Sequence, residues 1–303
     1  MNVPARHWVV VRLGTAQTLA WASSYYLPAL LAQPMARDLG VGTSTIFAAF
    51  SLALVVSALL GPLAGHAIDR HGGRPVLLGT NLLFAAGLGA LALAQGPVGL
   101  FAAWALIGIA MGSGLYEAAF ATLVRLYGQG ARGAITGITL VAGFASTVGW
   151  PLTAWMEATW DWRGACAGWA ALHLLLGLPL NAWLPRARLR PAPPAPAPPD
   201  MATPPEAPVP HARRTALLLS FVFAATWFTS TAMAAHLPRL LQAQGLPLQA
   251  AVAAAALVGP AQVAARLLEF GLLRRMHPLA SARLAALAHP KGALLLAWAG
   301  GAG

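Results

Sequence analysis

Charge is scarce in this 303-residue chain: Asp, Glu, Lys and Arg together make up 9% of it, against about a quarter in an ordinary soluble domain. So few charges cannot cover a soluble surface. Hydrophobic residues reach 58%, with a mean hydropathy of +0.66, and the chain reads as an integral membrane protein. Acids are scarcer than bases, 8 against 19. The resulting charge of +11 is not a nucleic-acid footprint, because the arginines sit in short clusters between apolar runs, as in cytoplasmic loops. The single cysteine, Cys166, excludes an intrachain disulfide and a structural zinc site, and reads as a small core residue. No Walker sequence, metal-ligand cluster, nucleophile triad or dinucleotide loop is present. ATP-driven transport and enzymatic chemistry therefore have no support, and no cofactor or metal is expected.

What the chain has in abundance is long apolar runs. A bilayer core needs roughly 20 apolar residues of helix. Eight segments qualify, at about 9–33, 44–65, 75–95, 99–124, 134–156, 164–184, 215–236 and 250–273. A ninth, about 278–302, is poor, with Arg283, His289, Pro290 and Lys291 inside it. The first is too long for a signal-peptide core and reads as a retained span. Strand periodicity is absent, so the fold class is all-α, a polytopic membrane helix bundle.

Arginine placement sets the orientation. With the N-terminus inside, the inner loops hold Arg6, Arg70, Arg74, Arg125, Arg132, Arg186, Arg188, Arg190, Arg213, Arg214, Arg274 and Arg275. The outer loops hold only Arg37, Arg163 and Arg239. This bias predicts a cytoplasmic N-terminus. Trp8, Trp155, Trp160, Trp162 and Trp183 fall near span ends, as interfacial anchors should. The heavy use of Ala, Gly, Pro and Arg suggests a bacterial genome, hence an inner membrane.

Residues 185–214 hold 11 prolines in 30 residues and read as a solvated cytoplasmic linker. The division is then a six-helix bundle over 1–184, the linker over 185–214, and a second bundle begun over 215–303. An internal repeat supports it. Trp21–Leu31, "WASSYYLPALL", and Trp227–Leu241, "WFTSTAMAAHLPRLL", both run from Trp through small hydroxylated residues to Leu-Pro-x-Leu-Leu.

The inner loop between spans two and three reads "GHAIDRHGGR", with Gly65, Asp69, Arg70, Gly72, Gly73 and Arg74. In residue type, spacing and location it resembles the loop signature of the major facilitator superfamily, G-x-x-x-D-R-x-G-x-R. With the six spans, linker and repeat, the resemblance covers essentially the whole chain. It implies a secondary transporter in which two bundles rock around a midplane site. Gly65 is expected to let two helices approach closely, and Gly72 and Gly73 to permit the tight turn. Asp69 is expected to meet Arg74 or a helix N-terminus as a cytoplasmic latch; the alternative is that the arginines only set topology. "GFASTVGWP", Gly143–Pro151, resembles the Gly-Pro motif of span five in antiporter members, with a different spacing. Span four lacks the arginine that many members carry there. Members have twelve spans, so the second bundle is expected to be incomplete and this chain alone not to drive concentrative transport.

Ionisable residues inside spans are functional candidates by default. Glu117, in span four, is a candidate for a coupling proton or a substrate cation; the alternative is a structural hydrogen bond to a neighbouring helix. Arg266 and Glu269, three residues apart in span eight, read either as a structural pair or as a substrate site. The context "VAARLLEF" resembles span eight of organic-anion members, in which an arginine binds a carboxylate, although Ala265 replaces their glycine. Trp21, Tyr25 and Tyr26 in span one, and Trp227, Thr229 and Ser230 in span seven, are candidates to line the cavity. His173 reads as a hydrogen-bonded structural residue, and Arg12 as snorkelling to the inner face. The expected substrate is a small organic anion, with a lipophilic drug, or a fragment without transport, as alternatives. Expected partners are that small molecule, a coupling proton and the lipid bilayer, with no nucleic acid, for a monomer.

Overall fold

The computed structural model describes residues 6–186, 212–271 and 278–300. Among them there is no strand. In hydrocarbon every backbone amide must be satisfied internally, and a helix does this within one segment. The first half runs α1 (Arg6–Ser23), α2 (Pro28–Asp38), α3 (Thr43–His71), α4 (Gly73–Ala92), α5 (Pro97–Gly114), α6 (Tyr116–Tyr127), a 3-10 turn (Gly128–Ala131), α7 (Arg132–Ala142), α8 (Ala145–Leu172), a π-helical turn (His173–Gly177) and α9 (Leu178–Ala182). Beyond it come α10 (Ala212–Ala243), α11 (Leu248–Ala256), α12 (Val258–Gly271) and α13 (Pro278–Gly300). The expected linker, with Arg188 and Arg190, lies almost wholly outside the described residues, as do Arg274 and Arg275.

Five helical stretches are long and apolar enough to cross a membrane: Thr43–His71, Gly73–Ala92, Pro97–Ala182, Arg213–Ala243 and Leu248–Glu269. The third, 86 residues long, has room for the three spans expected there. Together they take in every expected span except the first, which is cut in two. Pro28 has no N–H for the carbonyl of Ser24, and its ring crowds that group. The chain turns instead, with Tyr26 N bonded to Trp21 O at 3.2 Å. The Ser24 hydroxyl donates back to Ala20 O at 2.6 Å, and the Trp150 indole donates to Tyr26 O at 3.2 Å.

Other helices break as well. Leu115 is extended (φ −81, ψ −161) between α5 and α6. The break between α11 and α12 follows from Pro260, which offers no N–H to the Ala256 carbonyl. That carbonyl accepts a hydrogen bond from Thr147 Oγ1 of α8 at 2.7 Å. Gly259 makes the approach possible, since a Cβ there would overlap the Thr147 hydroxyl and lie 2.9 Å from Gly143 O.

The chain divides into two compact units. The first holds residues up to 187 together with 234–271; the second holds 188–233 and 272–303. This grouping differs from a division at 184 and 215, because α11 and α12 pack on α8 through contacts such as Thr147–Ala256. The core of the first unit is built on Trp104, Trp150, Trp169 and Phe84, each fully buried, and Cys166 lies in it as expected.

Polar side chains tie its helices together. Thr18 Oγ1 donates to Val141 O at 3.3 Å, and Trp169 Nε1 donates to Thr153 Oγ1 at 3.1 Å between the two halves of α8. His173 is completely buried and stacks on Phe84 at 4.6 Å. Its Nε2 lies 2.7 Å from Ser23 Oγ, and its Nδ1 lies 3.0 Å from Asn81 Oδ1. That is the structural role expected of it. Inside α8, Asp161 breaks the helix with φ 65, and its carboxylate accepts from the amides of Arg163 and Gly164 at 2.7 and 3.0 Å. Arg163 then pairs with Asp38 at 2.9 Å, donates to Ala92 O at 2.7 Å and lies over the Trp162 ring at 4.3 Å.

Candidate functional site

The charged loop of the sequence forms the end of α3, a one-residue turn and the start of α4. Gly72 occupies the turn with φ 88, a backbone conformation that side chains with a Cβ rarely adopt. Gly73 packs so closely on α6 that a Cβ would overlap the Thr122 side chain. The close approach expected of Gly65 is not made there: a Cβ at Gly65 would meet nothing within 4 Å. The buried stripe of α3 runs through Ala53, Ala64 and Ile68, and Gly65 is turned off it. Asp69 and Arg70 are exposed and Arg74 is half-buried; among the described residues Asp69 forms no ion pair with Arg74. The contact that holds the motif comes instead from Arg125 on α6, whose guanidinium donates to the Asp69 main-chain carbonyl. The sequence had marked Arg125 only as a topology signal. Arg12 donates to Trp183 O at 3.1 Å and lies over that ring at 5.6 Å.

A second assembly lies deeper, at the break of the first span. Trp21 and Tyr25 are buried, and Tyr26 is half-buried. Trp21 packs on Tyr25 at 5.0 Å and on Tyr116 at 4.9 Å, and Tyr116 stacks on Phe120 at 5.3 Å. Tyr26 meets Trp150 at 5.3 Å, and Phe47 meets His236 at 4.5 Å. From α12, Gln262 shares a side-chain hydrogen bond with Tyr26. Arg266, one turn on, is near enough for its charge to act on both Tyr26 and Tyr116. The Trp21 indole N–H is buried with no acceptor among the described residues. One guanidinium, two phenols, an amide and an unpaired indole donor thus converge among aromatic rings. Such a set can bind a planar solute and hold an anionic group on it.

The structure therefore brings Trp21, Tyr25, Tyr26 and Arg266 together and adds Tyr116 and Gln262, which the sequence reading missed. Gln262 carried a signal, an amide in an apolar span; Tyr116 carried none beyond its neighbour Glu117. Arg266 and Glu269 do not form an ion pair, so the structural pair is not made. Glu117, in the first turn of α6, is exposed and forms no hydrogen bond to a neighbouring helix. Trp227 belongs to the second unit and is 58% exposed, and Thr229 donates to Ala225 O of its own helix. Among the described residues no group of three His, Cys, Asp or Glu stands close enough to hold a metal.

Comparison with known proteins agrees with the resemblance of the loop. Over 153 residues the chain is 34% identical to an uncharacterized 38 kDa protein in a 23S RNA operon of Thermoproteus tenax. That match takes in 50% of this chain and 40% of the relative, so the chain spans about two fifths of the curated relative it matches. Residues 13–303 match the description of the Major Facilitator Superfamily, whose members are multi-pass membrane transporters and not enzymes. The chain, with its apolar helices and its Gly72–Gly73 turn, belongs to the Major Facilitator Superfamily.

Proposed function

We propose that this protein moves a small organic anion across a membrane by alternating access, with the aromatic cluster around Tyr26 and Arg266 as its substrate site. The observation that carries this reading is the arginine. It stands beside two phenols, without a carboxylate partner among the described residues. Arg266 is half-buried within an apolar span, where a guanidinium without a counter-ion is costly, and a substrate carboxylate supplies one in a two-donor fork. Trp21 and Gln262 offer further donors, and the rings offer stacking surface.

Asp69 and the Gly72–Gly73 turn act as the cytoplasmic latch in this reading, with Arg125 bracing the end of α3. Glu117 carries the coupling proton; its place at the N-terminal end of α6 suits a carboxylate. Glu269 and Trp227 remain candidates for further contacts as the cavity changes shape. The N-terminus is assigned to the cytoplasm and the protein, as a monomer, to a bacterial inner membrane, from the arginine bias and the composition. Reporter fusions within 190–210 test the orientation: alkaline phosphatase there is expected to be inactive.

A lipophilic solute is the second reading, favoured by the number of rings against one charge. A thermal-shift screen separates the two. Small carboxylates are expected to raise the unfolding temperature of the purified protein, and to do so less for Arg266→Lys, which keeps the charge but loses the fork. Stabilisation by lipophilic cations, unchanged in Arg266→Lys, refutes the anion reading.

A further inference from the structure

A small polar chamber lies inside the first unit, lined by none of the residues of the Tyr26 cluster. Gln17 of α1, Thr80 and Asn81 of α4 and Asn181 of α9 line it, with Phe84 and the Gly114 end of α5. Gln17 and Asn181 are 2% and 3% exposed. Gln17 Nε2 donates to Gly114 O at 2.6 Å, which fixes the carboxamide and leaves its Oε1 facing away from that bond. Gln17 Oε1 and Asn181 Oδ1 are both buried without a hydrogen-bond partner among the described residues. Two unsatisfied carbonyl oxygens in one bundle interior are costly, because lipid offers no solvent to replace the missing donors.

We infer that this chamber binds one water molecule, which donates its two hydrogens to Gln17 Oε1 and Asn181 Oδ1. Size supports this. The space open to the centre of a water molecule is about 10 Å³, which seats one water and little more. The chemistry supports it too. The unsatisfied atoms are acceptors, which excludes an anion. The carboxyl end of α5 opens here, and a helix C-terminus favours electropositive atoms. A bare cation is disfavoured, because no carboxylate lines the chamber to offset the loss of its hydration.

The water has a positioning role. Gln17 holds the carbonyl of Gly114, the last residue before the break that delivers Tyr116 and Glu117. Asn81, on the chamber wall, continues to His173 and Ser23. The bound water thus joins α1 to α9 beside the Asn81–His173–Ser23 contacts. It holds the α5–α6 break in one conformation.

Radiolytic footprinting of the full chain in detergent, with rapid mixing into H2-18O, tests this. Hydroxyl radicals born at a buried water label its neighbours whatever their exposure. Phe84, on the chamber wall, and Phe50, elsewhere in the core, are 1% and 3% exposed. Phe84 is expected to be labelled several-fold more than Phe50, with slow uptake of the heavy isotope. In Gln17→Met/Asn181→Leu, which removes both acceptors and fills the space, that excess is expected to vanish while Phe50 stays unchanged. Equal protection of Phe84 and Phe50 in the parent protein overturns the inference, whether or not the variant folds. A sodium arm separates water from a cation. The unfolding temperature is expected to be the same in sodium and choline chloride. A sodium-specific rise in the parent protein that the double variant loses replaces the water with an ion.

Discussion

The stretch Pro97–Ala182, which carries α5 to α9, and the helix α10 are both long and apolar, yet they differ in what surrounds them. The stretch Pro97–Ala182 has 56% of its most apolar window buried, and Arg213–Ala243 has none. Hydropathy is similar in the two, 1.8 and 1.6, so apolar character does not decide which helix becomes part of a core. Lipid is as apolar as leucine and gives no hydrophobic reason for two helices to meet; close packing and polar links do that. The first region has both. Thr147 reaches Ala256, His173 reaches Ser23 and Asn81, and Gly259 lets α12 close on α8. In α10, Thr229 and Thr231 donate to carbonyls four residues back on their own helix.

Substitutions along the two regions test that contrast. The largest effect is expected at the turn between α3 and α4. Gly73→Val drives a branched side chain into Thr122 and should cost about 3 kcal/mol, in line with severe overpacking. Unfolding in mixed micelles measures it, and a loss under ~1 kcal/mol would mean that α4 and α6 separate freely at that end. Next is His173→Phe, which keeps the stack on Phe84 but strands the buried groups of Ser23 and Asn81. A cost of about 2 kcal/mol follows from leaving such groups unsatisfied. A neutral substitution would show that polar linkage is dispensable inside this unit.

Arg163→Ala removes an ion pair, a ring contact and a bond to Ala92 O at one stroke. The pair is partly exposed and weak by itself, so about 1–2 kcal/mol is expected for the whole clasp. A companion Asp38→Asn variant apportions it: if the clasp is mainly electrostatic, the two losses should match. Thr147→Val deletes the donor to the Ala256 carbonyl and is expected to cost about 0.6 kcal/mol, the usual worth of an interhelical hydrogen bond in a bilayer. Combining it with Gly259→Ala should cost less than the sum, since both disrupt one contact, which can be lost only once. Smallest of all, Trp227→Ala in α10 is expected to stay within ~0.5 kcal/mol of the parent. A cost there comparable to that of His173→Phe would erase the contrast between the regions.

Much of this was legible in the chain itself. The segments between 44 and 273 are helical where the structure describes them, apart from short breaks such as those at Leu115 and Leu257, because twenty apolar residues in hydrocarbon have little other choice. The loop at Gly72 and Gly73 could be read because a left-handed turn and a close contact both need glycine. The cut in the first span was present as Pro28 but was hidden beneath the hydropathy of its flanks. The candidate site was legible in part. Trp21, Tyr26 and Arg266 drew attention as aromatic or charged groups in spans. Tyr116 and Gln262 did not, because membership depends on which face of a helix meets another, and pattern alone does not supply that.

By itself, then, the sequence determined that the chain is helical and membrane-bound, where it turns sharply at Gly72, and which arginines crowd one set of loops. These follow from transfer free energy and local sterics, which act residue by residue. The tertiary structure alone decided that Arg125 and not Arg74 braces Asp69, that Arg266 sits beside Tyr26 without Glu269, and that Gln17 and Asn181 turn their oxygens into one chamber. Each is a meeting of groups from different helices. Its energy depends on distances of a few ångströms between residues 56 to 240 positions apart in sequence, beyond the reach of any local pattern.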